Sequence, residues 1–487
     1  MSFLNDVSLL SAKAYVNGEW CDAASGKSFP VTNPATGETV GHVPDLAPEE
    51  VEAAIAAADA AFPGWAAKSA KERANVLRTW FDLIVANADD LAALMTAEQG
   101  KPLAEAKGEI VYGASFVEWF AEEGKRIYGD VIPAPKTDTR ILVLKQPIGV
   151  VAAITPWNFP CAMITRKVAP ALAAGCTVVV KPAGDTPLSA LALAVLAERA
   201  GVPKGVLSIV TASRGAPVGK VMCESPLVRK LSFTGSTEVG KLLMRDCAGT
   251  VKKLSLELGG NAPFIVFDDA DLDAAVVGAM ASKYRNAGQT CVCANRFLVQ
   301  DGVYDAFIAK FKAAVAELKV GNGTEPGVTQ GPLINQTAVE KVESLVADAI
   351  AKGAETVCGG ARAGRSGSFY EPTILAAATP EMDLFAEEIF GPVAPLFRFK
   401  DETEAIELAN RTRFGLAAYF YGRDIGRIFR VAEALEYGIV GINEGLISMA
   451  EAPFGGVKES GLGREGSKYG IEDFLEIKYL CVGGLNR

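Results

Sequence analysis

The feature that most constrains the fold of this chain is a regular alternation of strand and helix patterns that begins at Gly149. Apolar runs of strand length are separated by helical patterns, and turns marked by Gly or Pro join them. This order predicts right-handed βαβ units and a parallel sheet. The predicted strands are 150–155, 177–180, 206–210 and 227–233, and the predicted helices are 161–174, 189–200 and one that starts at Thr237.

The second half of the chain repeats this alternation, which predicts a second α/β domain. A chain of 487 residues is also too long for one ordinary core. In such sheets, ligands bind at the carboxyl ends of the strands, so we expect the chemistry there. The elements predicted in this half are 297–299, 304–318, 339–351, 393–399, 416–421 and 439–443.

Before Gly149 the pattern is mostly helical. The turn at 33–37 is expected to join two short strands, and apolar spacing predicts a helix over 48–62. Ser69 and Glu72 form a capping box that starts a long helix, and helix continues to about residue 124. Residues 127–149 are predicted to form an extended segment away from the main body, and residues 476–482 a last strand. Both are candidates for strand pairing across a subunit boundary.

Composition excludes several classes of function. A net charge of −10 provides no basic surface for nucleic acid or for anionic membranes. No apolar run is long enough to span a membrane, and the first 13 residues do not resemble a secretion signal. Nine cysteines, an odd number, do not suggest a disulfide framework, so we expect a reducing cytoplasm. The only histidine, His42, is expected in a turn, which argues against hydrolases that pair Cys or Ser with His.

Two glycine motifs resemble nucleotide-binding sequences. Residues 461–466 match the dinucleotide fingerprint G-x-G-x-x-G, but no strand pattern precedes them, and we predict a loop. Residues 235–241 follow a strand and open a helix as a P-loop does, but Leu242 replaces the hydroxyl residue that would bind Mg²⁺. A dinucleotide at the helix N-terminus therefore fits better than ATP, and a P-loop-like nucleotide hydrolase is the alternative from another class.

Cys291 lies between polar shoulders that contain glycine. The thiol could be a nucleophile held at a turn, or one of several buried small hydrophobic residues. Six motifs in combination, one of which contains Cys291, resemble the aldehyde dehydrogenase superfamily over essentially the whole chain. They are 155–160 (TPWNFP), 180–183 (VKPA), 233–236 (FTGS), 256–260 (LELGG), 288–291 (GQTC) and 388–392 (EIFGP).

The resemblance implies a set of catalytic residues. Cys291 would be the nucleophile, and the Asn158 side-chain amide with the Cys291 N–H would stabilise the alkoxide formed on attack. Glu257 would be the general base that activates water to hydrolyse a thioester. The presence of Glu257 favours an acid-producing enzyme over relatives that transfer the acyl group to coenzyme A.

The resemblance also implies a nicotinamide dinucleotide cofactor. Lys181 and Trp157 would line the adenine ribose and the neighbouring cofactor surface, Gly235 and Ser236 would hold the pyrophosphate, and Glu388 the nicotinamide ribose. NAD-preferring relatives often carry Glu at the position that is Gly184 here, so we predict that NADP is preferred and that NAD is possible. The full predicted set is Thr155, Trp157, Asn158, Lys181, Pro182, Ala183, Gly184, Gly235, Ser236, Leu258, Glu388 and Phe390.

Within the superfamily, several stretches resemble the succinate-semialdehyde dehydrogenases. Carried over, Arg166, Arg285 and Ser448 would bind the distal carboxylate of a small-molecule semialdehyde. Without the resemblance, Arg166 would be read as a solvated or salt-bridged helix residue, and Arg285 as a charge at a helix C-terminus. Glutarate semialdehyde, one methylene longer, or another aldehyde is the alternative substrate. The stretches are 162–167, 282–286, 291–293, 444–448 and 461–478.

The resemblance predicts an aldehyde-dehydrogenase-like α/β fold with a Rossmann-type cofactor domain, a catalytic domain and a small oligomerisation ribbon. The predicted cofactor domain is 1–130 with 148–256, and the catalytic domain is 257–460. Segments 131–147 and 468–487 would form a homo-oligomer, a dimer or tetramer. No metal site is predicted, since no Cys and His cluster accompanies Cys293. Cys293 is read as packing, with reversible oxidation against Cys291 as a hypothesis.

Overall fold

The computed structural model describes residues 4–485, so positions 1–3 and 486–487 of the predicted domain ranges lie outside the described residues. The strands in chain order, β1 to β20, are Ala14–Val16, Glu19–Cys21, Ser28–Thr32, Thr39–Pro44, Asp130–Ile132, Arg140–Pro147, Val150–Ile154, Thr177–Lys181, Leu207–Ile209, Val228–Thr234, Lys253–Glu257, Ala262–Val266, Ala294–Gln300, Glu355–Cys358, Thr373–Ala376, Val393–Phe399, Ala417–Tyr421, Ile439–Ile442, Gly461–Leu462 and Leu475–Val482.

The α-helices pack around these strands, and eight of the fifteen begin in the first half of the chain. In chain order, α1 to α15 are Pro48–Ala66, Ala70–Ala86, Ala88–Gln99, Leu103–Glu123, Ala162–Ala174, Pro187–Arg199, Gly215–Glu224, Thr237–Cys247, Leu272–Lys283, Tyr304–Val315, Gln336–Ala351, Asp383–Ala386, Glu402–Asn410, Ile425–Ala434 and Ser467–Gly470.

The first large sheet has eight strands in the order β19-β11-β10-β7-β8-β9-β1-β2. Its five central strands are parallel, and β1 and β19 add to the two sides in antiparallel orientation. Because helices cover both faces, these strands read as continuous apolar runs rather than as alternating patterns. The parallel sheet predicted from the alternation after Gly149 is therefore confirmed.

The prediction of a loop over 461–466 is wrong at its first two residues. Gly461 and Leu462 form β19, which pairs with Glu257 and Leu256 of β11. A side chain at Gly461 would place its Cβ 1.9 Å from the Leu256 carbonyl oxygen, so only glycine permits this pairing. The strand brings the segment that follows it next to the end of β11.

The second large sheet has seven strands in the order β14-β15-β16-β13-β12-β17-β18. All neighbouring pairs are parallel except β14 with β15. Apolar side chains of this sheet pack on both faces and form two separate core clusters. The second α/β unit predicted from the sequence is therefore present.

The N-terminal elements agree with the sequence patterns except at His42. The turn at 33–37 joins β3 and β4, and the Ser69 hydroxyl accepts from the Glu72 N–H at 3.3 Å while Glu72 accepts from the Ser69 N–H at 2.8 Å. His42 lies in β4 opposite Pro30 and is exposed, so the turn predicted there is wrong. Pro44 ends this strand instead of forming the turn expected from its neighbours.

A small three-stranded antiparallel sheet, β20-β6-β5, uses the excursion and the tail. The tail strand pairs along its whole length with β6 of the same chain, so its partner on that side is not another subunit. The sheet exposes Val131, Ile477 and Tyr479, which are 75%, 70% and 59% accessible. Separately, no helix within residues 4–485 has both the length and the apolar character needed to cross a membrane.

Candidate active site

A cavity of ≈ 470 Å³ opens where β7, β10 and β11 end, facing the second sheet. It brings together eight of the residues predicted from the sequence, which are Trp157, Asn158, Gly235, Ser236, Leu258, Cys291, Glu388 and Phe390. The rings of Trp157 and Phe390 meet edge to face, with centroids 5.5 Å apart. Thr155, Lys181, Pro182, Ala183 and Gly184 do not line this cavity.

One wall of the cavity was not predicted. It comes from the start of α11, where Asn335 caps the helix by accepting from the Ala338 N–H at 3.0 Å. Lys341, on the first turns of this helix, also lines the cavity. Burial raises the pKa of Glu388 to about 7, while the charge of Lys341 acts in the opposite direction. The sequence predicted this helix, but nothing in its pattern indicated that it faces the site.

A second cavity, narrow and much smaller at ≈ 10 Å³, also borders Cys291. It is lined by all three residues predicted to bind a carboxylate, Arg166, Arg285 and Ser448. Cys291 borders both cavities, so the thiol lies at their junction. Residues of this cavity that the sequence did not predict are Tyr112, Phe159, Met163, Thr290, Val292 and Phe454.

Burial dominates the electrostatics of Cys291. It raises the pKa of the thiol to about 12, and the Glu388 carboxylate acts in the same direction. Arg166 and Arg285 lower it, but by less than burial raises it. This environment favours the thiol over the thiolate, so attack as a thiolate requires additional positive charge or a proton acceptor.

Asn158 follows β7 and is held from several directions. Its side-chain Nδ2 donates to the Gln289 carbonyl at 3.0 Å, and its own carbonyl accepts from Asn286 Nδ2 at 2.9 Å. Asn286 and Ala287 have φ of 52° and 53°, the left-handed region that is costly for residues other than glycine. These buried hydrogen bonds stabilise the strained turn before Cys291.

Glu257 ends β11 and is buried beside this site. It does not line either cavity, and its Oε2 has no hydrogen-bond partner in the described part of the chain. Burial raises the pKa of this carboxyl well above its ordinary value, and Glu465 adds to the effect, while Arg166 and Lys167 oppose it. Burial therefore favours the protonated form of Glu257 over its carboxylate.

Arg166 is buried in α5 and is salt-bridged. A salt-bridged helix residue is what the sequence predicts for Arg166 when the family resemblance is left aside. Its Nε lies 2.6 Å from Glu465 Oε2, and its Cζ lies 4.1 Å from the centre of the Phe454 ring. The same guanidinium borders the narrow cavity. The structure therefore agrees in part with both predictions for Arg166, a salt-bridged helix residue and a residue of the substrate cavity. Arg285 follows α9 and lies over the Phe159 ring at 5.4 Å.

Lys181 ends β8 and is 7% accessible. Burial lowers the pKa of its ammonium group, which makes no hydrogen bond or ion pair with the residues from 4 to 485. A Cβ added at Gly215, the first residue of α7, would lie 3.7 Å from Lys181 Nζ. A buried amine beside a helix N-terminus is suited to a phosphate.

The geometry does not support phosphate binding by a P-loop lysine. Lys241 points to the surface and pairs with Glu459 at 2.9 Å, outside both cavities. Ser236 is the N-cap of α8, and its hydroxyl accepts from the Val239 N–H at 3.3 Å. Within residues 4–485, no group of three or more His, Cys, Asp or Glu side chains is arranged to hold a metal ion.

Comparison with known proteins decides the family. The model of the aldehyde dehydrogenase family matches residues 20–480. The chain belongs to the aldehyde dehydrogenase family. Its fold and the predicted superfamily are thus confirmed, and the P-loop hydrolase alternative no longer applies.

Several members of the aldehyde dehydrogenase family are similar to this chain over its whole length. The glutarate-semialdehyde dehydrogenase of Pseudomonas aeruginosa is 66% identical, covering 99% of this chain and 100% of the relative. The NADP-dependent succinate-semialdehyde dehydrogenase of Escherichia coli is 65% identical and 99% of each chain is covered. The crystal structure of succinate-semialdehyde dehydrogenase from Burkholderia pseudomallei superimposes with a TM-score of 0.98 at 65% identity, covering 99% of this chain and 100% of that one.

Proposed function

We propose that this aldehyde dehydrogenase oxidises succinate semialdehyde to succinate, with NADP as the preferred cofactor and NAD as a possible one. The observation that carries this proposal is the position of Cys291 between two cavities of different character. One cavity has the strand ends and helix N-terminus suited to a dinucleotide, and the other has two arginines suited to a carboxylate, Arg166 buried and Arg285 half-buried. Glutarate semialdehyde is the second candidate, because the Pseudomonas aeruginosa relative carries that name.

The residues present fit a nicotinamide dinucleotide. Glu388 is held by the Gly260 N–H at 2.9 Å and faces the cavity, where it would accept from the nicotinamide ribose. A Cβ at Gly235 would lie 2.4 Å from the Phe233 ring, so a larger residue is excluded there, and Gly235 and Ser236 line the cavity at the start of α8, which supports a pyrophosphate at this helix N-terminus. Lys181, with no carboxylate at Gly184, would meet a 2′-phosphate, which supports NADP. When bound, the cofactor would supply a hydride acceptor and a positively charged ring to the cavity that Cys291 lines.

The chain's own residues then carry the remaining chemistry. The Cys291 thiol gives its proton to solvent, its sulfur attacks the aldehyde carbon to form a C–S bond, and the carbonyl electron pair moves to oxygen as an alkoxide. One Nδ2 hydrogen of Asn158 is taken by Gln289, and the other, with the Cys291 N–H, would stabilise that alkoxide. Loss of hydride from the carbon leaves a thioester, which water hydrolyses with Glu257 as base. The acid departs and the thiol is restored.

Binding of the distal carboxylate positions the aldehyde at Cys291. Arg166 and Arg285 are both cationic and line the cavity beside the sulfur, and Ser448 adds a hydroxyl donor. A buried carboxylate needs paired cations, and two arginines supply charge and several donors together. A dicarboxylic semialdehyde is therefore favoured over an uncharged aldehyde of the same length.

We also propose the division of the chain that the family resemblance implies. Residues 1–130 and 148–256 would hold the cofactor, and 257–460 would carry the catalytic thiol. Segments 131–147 and 468–487 would join subunits into a dimer or tetramer. The apolar side chains exposed on β5 and β20 support this role, and size measurement in solution by light scattering tests it.

The function is tested by following reduced-cofactor formation with succinate semialdehyde, glutarate semialdehyde and butyraldehyde, each with NADP and with NAD. We expect the highest kcat/KM for succinate semialdehyde with NADP, and no turnover by Cys291→Ala. A higher kcat/KM for butyraldehyde would overturn the substrate class. A clearly higher kcat/KM with NAD than with NADP would overturn the cofactor preference alone.

A further inference from the structure

Glu465 lies in the glycine-rich stretch 461–466, whose match to the dinucleotide fingerprint is not used by the proposed function. Its carboxylate is 6% accessible and contacts two buried cations, Arg166 through Nε at 2.6 Å and Lys167 through Nζ. The side chains of these cations are 1% and 0% accessible. Burying a carboxylate between two cations costs desolvation free energy. The attraction between the charges offsets this cost only when the ion-pair geometry is good and the remaining polar atoms are hydrogen-bonded.

The surroundings of Arg166 restrict how its guanidinium can lie. Its Cζ is 4.1 Å from the Phe454 ring centre and 5.1 Å from that of Phe116. Phe454 and Glu465 are themselves tied by two backbone hydrogen bonds of 2.8 Å and 2.7 Å. This antiparallel bridge therefore positions both groups that contact the Arg166 guanidinium, the Phe454 ring and the Glu465 carboxylate.

The far edge of the guanidinium is free. Nη1 has only the Met163 sulfur at 3.8 Å, and Nη2 is buried without any partner among residues 4–485, whereas Nε makes no hydrogen bond of good geometry but is held by the ion pair with Glu465. Arg166 also borders the narrow cavity beside Cys291, together with Arg285. An unpaired buried guanidinium nitrogen at a cavity is a site for an anionic acceptor, since leaving it unsatisfied is unfavourable.

We propose that Glu465 is a specificity-determining positioning residue, which anchors Arg166 at Nε and so presents its Nη edge to the distal carboxylate of the substrate. The inference rests on the proposed function, because it assumes a carboxylated aldehyde in the narrow cavity. The Phe454 and Phe116 rings restrict the guanidinium plane of Arg166. The contact of Glu465 with Nε then determines which edge of that plane faces the cavity. Preorganisation of this kind lowers the cost of binding the substrate.

The alternative is that Glu465 competes with the substrate for Arg166. Its negative charge would then weaken binding of a second carboxylate, and its removal would improve binding. The two possibilities predict opposite changes in KM, and they are separated by Glu465→Gln, which keeps the shape of the side chain and removes its charge.

The test measures KM and kcat for succinate semialdehyde and for butyraldehyde in wild type, Glu465→Gln, Arg166→Met and the double variant. We expect Glu465→Gln to raise KM for succinate semialdehyde roughly tenfold, the loss of one charge-assisted contact, and KM for butyraldehyde by less than about twofold. In the Arg166→Met background, Glu465→Gln should not raise KM further, because the residue acts through Arg166.

An unchanged or lower KM for succinate semialdehyde in Glu465→Gln overturns the proposal. The proposal is also overturned if Glu465→Gln raises this KM by the same factor in the Arg166→Met variant as in wild type. Absence of any preference of wild type for succinate semialdehyde over butyraldehyde overturns the proposed function instead. If Glu465→Gln does not fold, Glu465→Asp retains the charge but shortens the reach, and the same selective rise in KM is expected.

Discussion

Lys101 donates a hydrogen bond of 2.8 Å from its ammonium group to the main-chain carbonyl oxygen of Asn158. The same ammonium pairs with Glu109 at 2.5 Å, and both side chains are 1% accessible. Glu109 in turn accepts from the backbone N–H of Cys161 at 2.9 Å. The backbone of the proposed oxyanion donor is thus held by a buried ion pair on the helical layer.

Lys101→Met should destabilise the protein and slow catalysis together. Removing one partner of a buried pair costs about 3–5 kcal/mol, because Glu109 is left buried and uncompensated. We expect this loss in denaturant unfolding, with a lower kcat from a displaced Asn158. The matched control is Lys107→Met, which removes an exposed pair with Asp89 and should cost less than about 1 kcal/mol. Equal losses in the two variants would contradict the buried role.

Arg285→Ala should impair carboxylate recognition selectively. Loss of one charged hydrogen-bonding partner is worth about 1.5–3 kcal/mol, so KM for succinate semialdehyde should rise about 10- to 100-fold. KM for butyraldehyde, which has no carboxylate, should change little. The exposed Arg423, paired with Asp271 at the surface, provides the control substitution. Equal effects on the two aldehydes would refute a role for Arg285 in binding the carboxylate.

Glu257→Gln should stop the enzyme after formation of the thioester. A stopped-flow trace should then show one equivalent of reduced cofactor per active site, followed by a slow steady state. In wild type, burial raises the pKa of Glu257, so the ionised base becomes more abundant as pH rises. Thioester hydrolysis should therefore accelerate as pH rises above the ordinary range of a glutamate carboxyl. A hydrolysis rate that is independent of pH, or a full turnover rate in Glu257→Gln, would exclude Glu257 as the base.

Gly184→Glu should shift the cofactor preference toward NAD. The backbone φ at this glycine is not in the left-handed region, and an added Cβ would meet no atom closer than 3.6 Å, so a side chain can begin here without backbone strain or a clash at Cβ. The new carboxylate would repel a 2′-phosphate at Lys181 and accept from free ribose hydroxyls. The ratio of kcat/KM for NADP to that for NAD should fall at least about tenfold, a difference of ~1.4 kcal/mol. An unchanged ratio would show that Lys181 does not meet the ribose.

Cys293→Ala tests the hypothesis of reversible oxidation against Cys291. In the structure the Cys293 sulfur is buried and contacts the Lys283 carbonyl at 3.4 Å, so a bond to Cys291 requires it to leave that contact. Under the hypothesis, peroxide inactivation of wild type reverses with dithiothreitol, and inactivation of Cys293→Ala does not. The same reversible behaviour in both proteins would show that Cys293 is packing alone.

Much of the site could be predicted from local patterns. The motifs that contain Asn158, Gly235 and Glu257 lie at strand ends, and the parallel sheet brings strand ends together at one edge, whereas Cys291 lies in the turn before β13. The lining of the first cavity therefore agrees well with the residues named from the sequence. The roles assigned to those residues stay predictions until the variants are measured.

Other features depend on contacts between distant parts of the chain. Lys167 and Glu465 are 298 positions apart, and no local pattern of charge or hydrophobicity records their pairing. The same holds for Lys341 in the cavity wall and for the tail strand on β6. Such pairs arise only when the sheets assemble and bury both partners.

The sequence by itself determined the α/β alternation, the residue types at the strand ends and the family, because these follow from backbone periodicity and from chemistry at single positions. The tertiary structure decided which charges meet. It buried Glu257, Arg166 and Glu465 in one place, where burial raises the pKa of Glu257 and Glu465 forms an ion pair with Arg166. Desolvation and long-range pairing are properties of the packed chain, so they could not be obtained from sequence patterns alone.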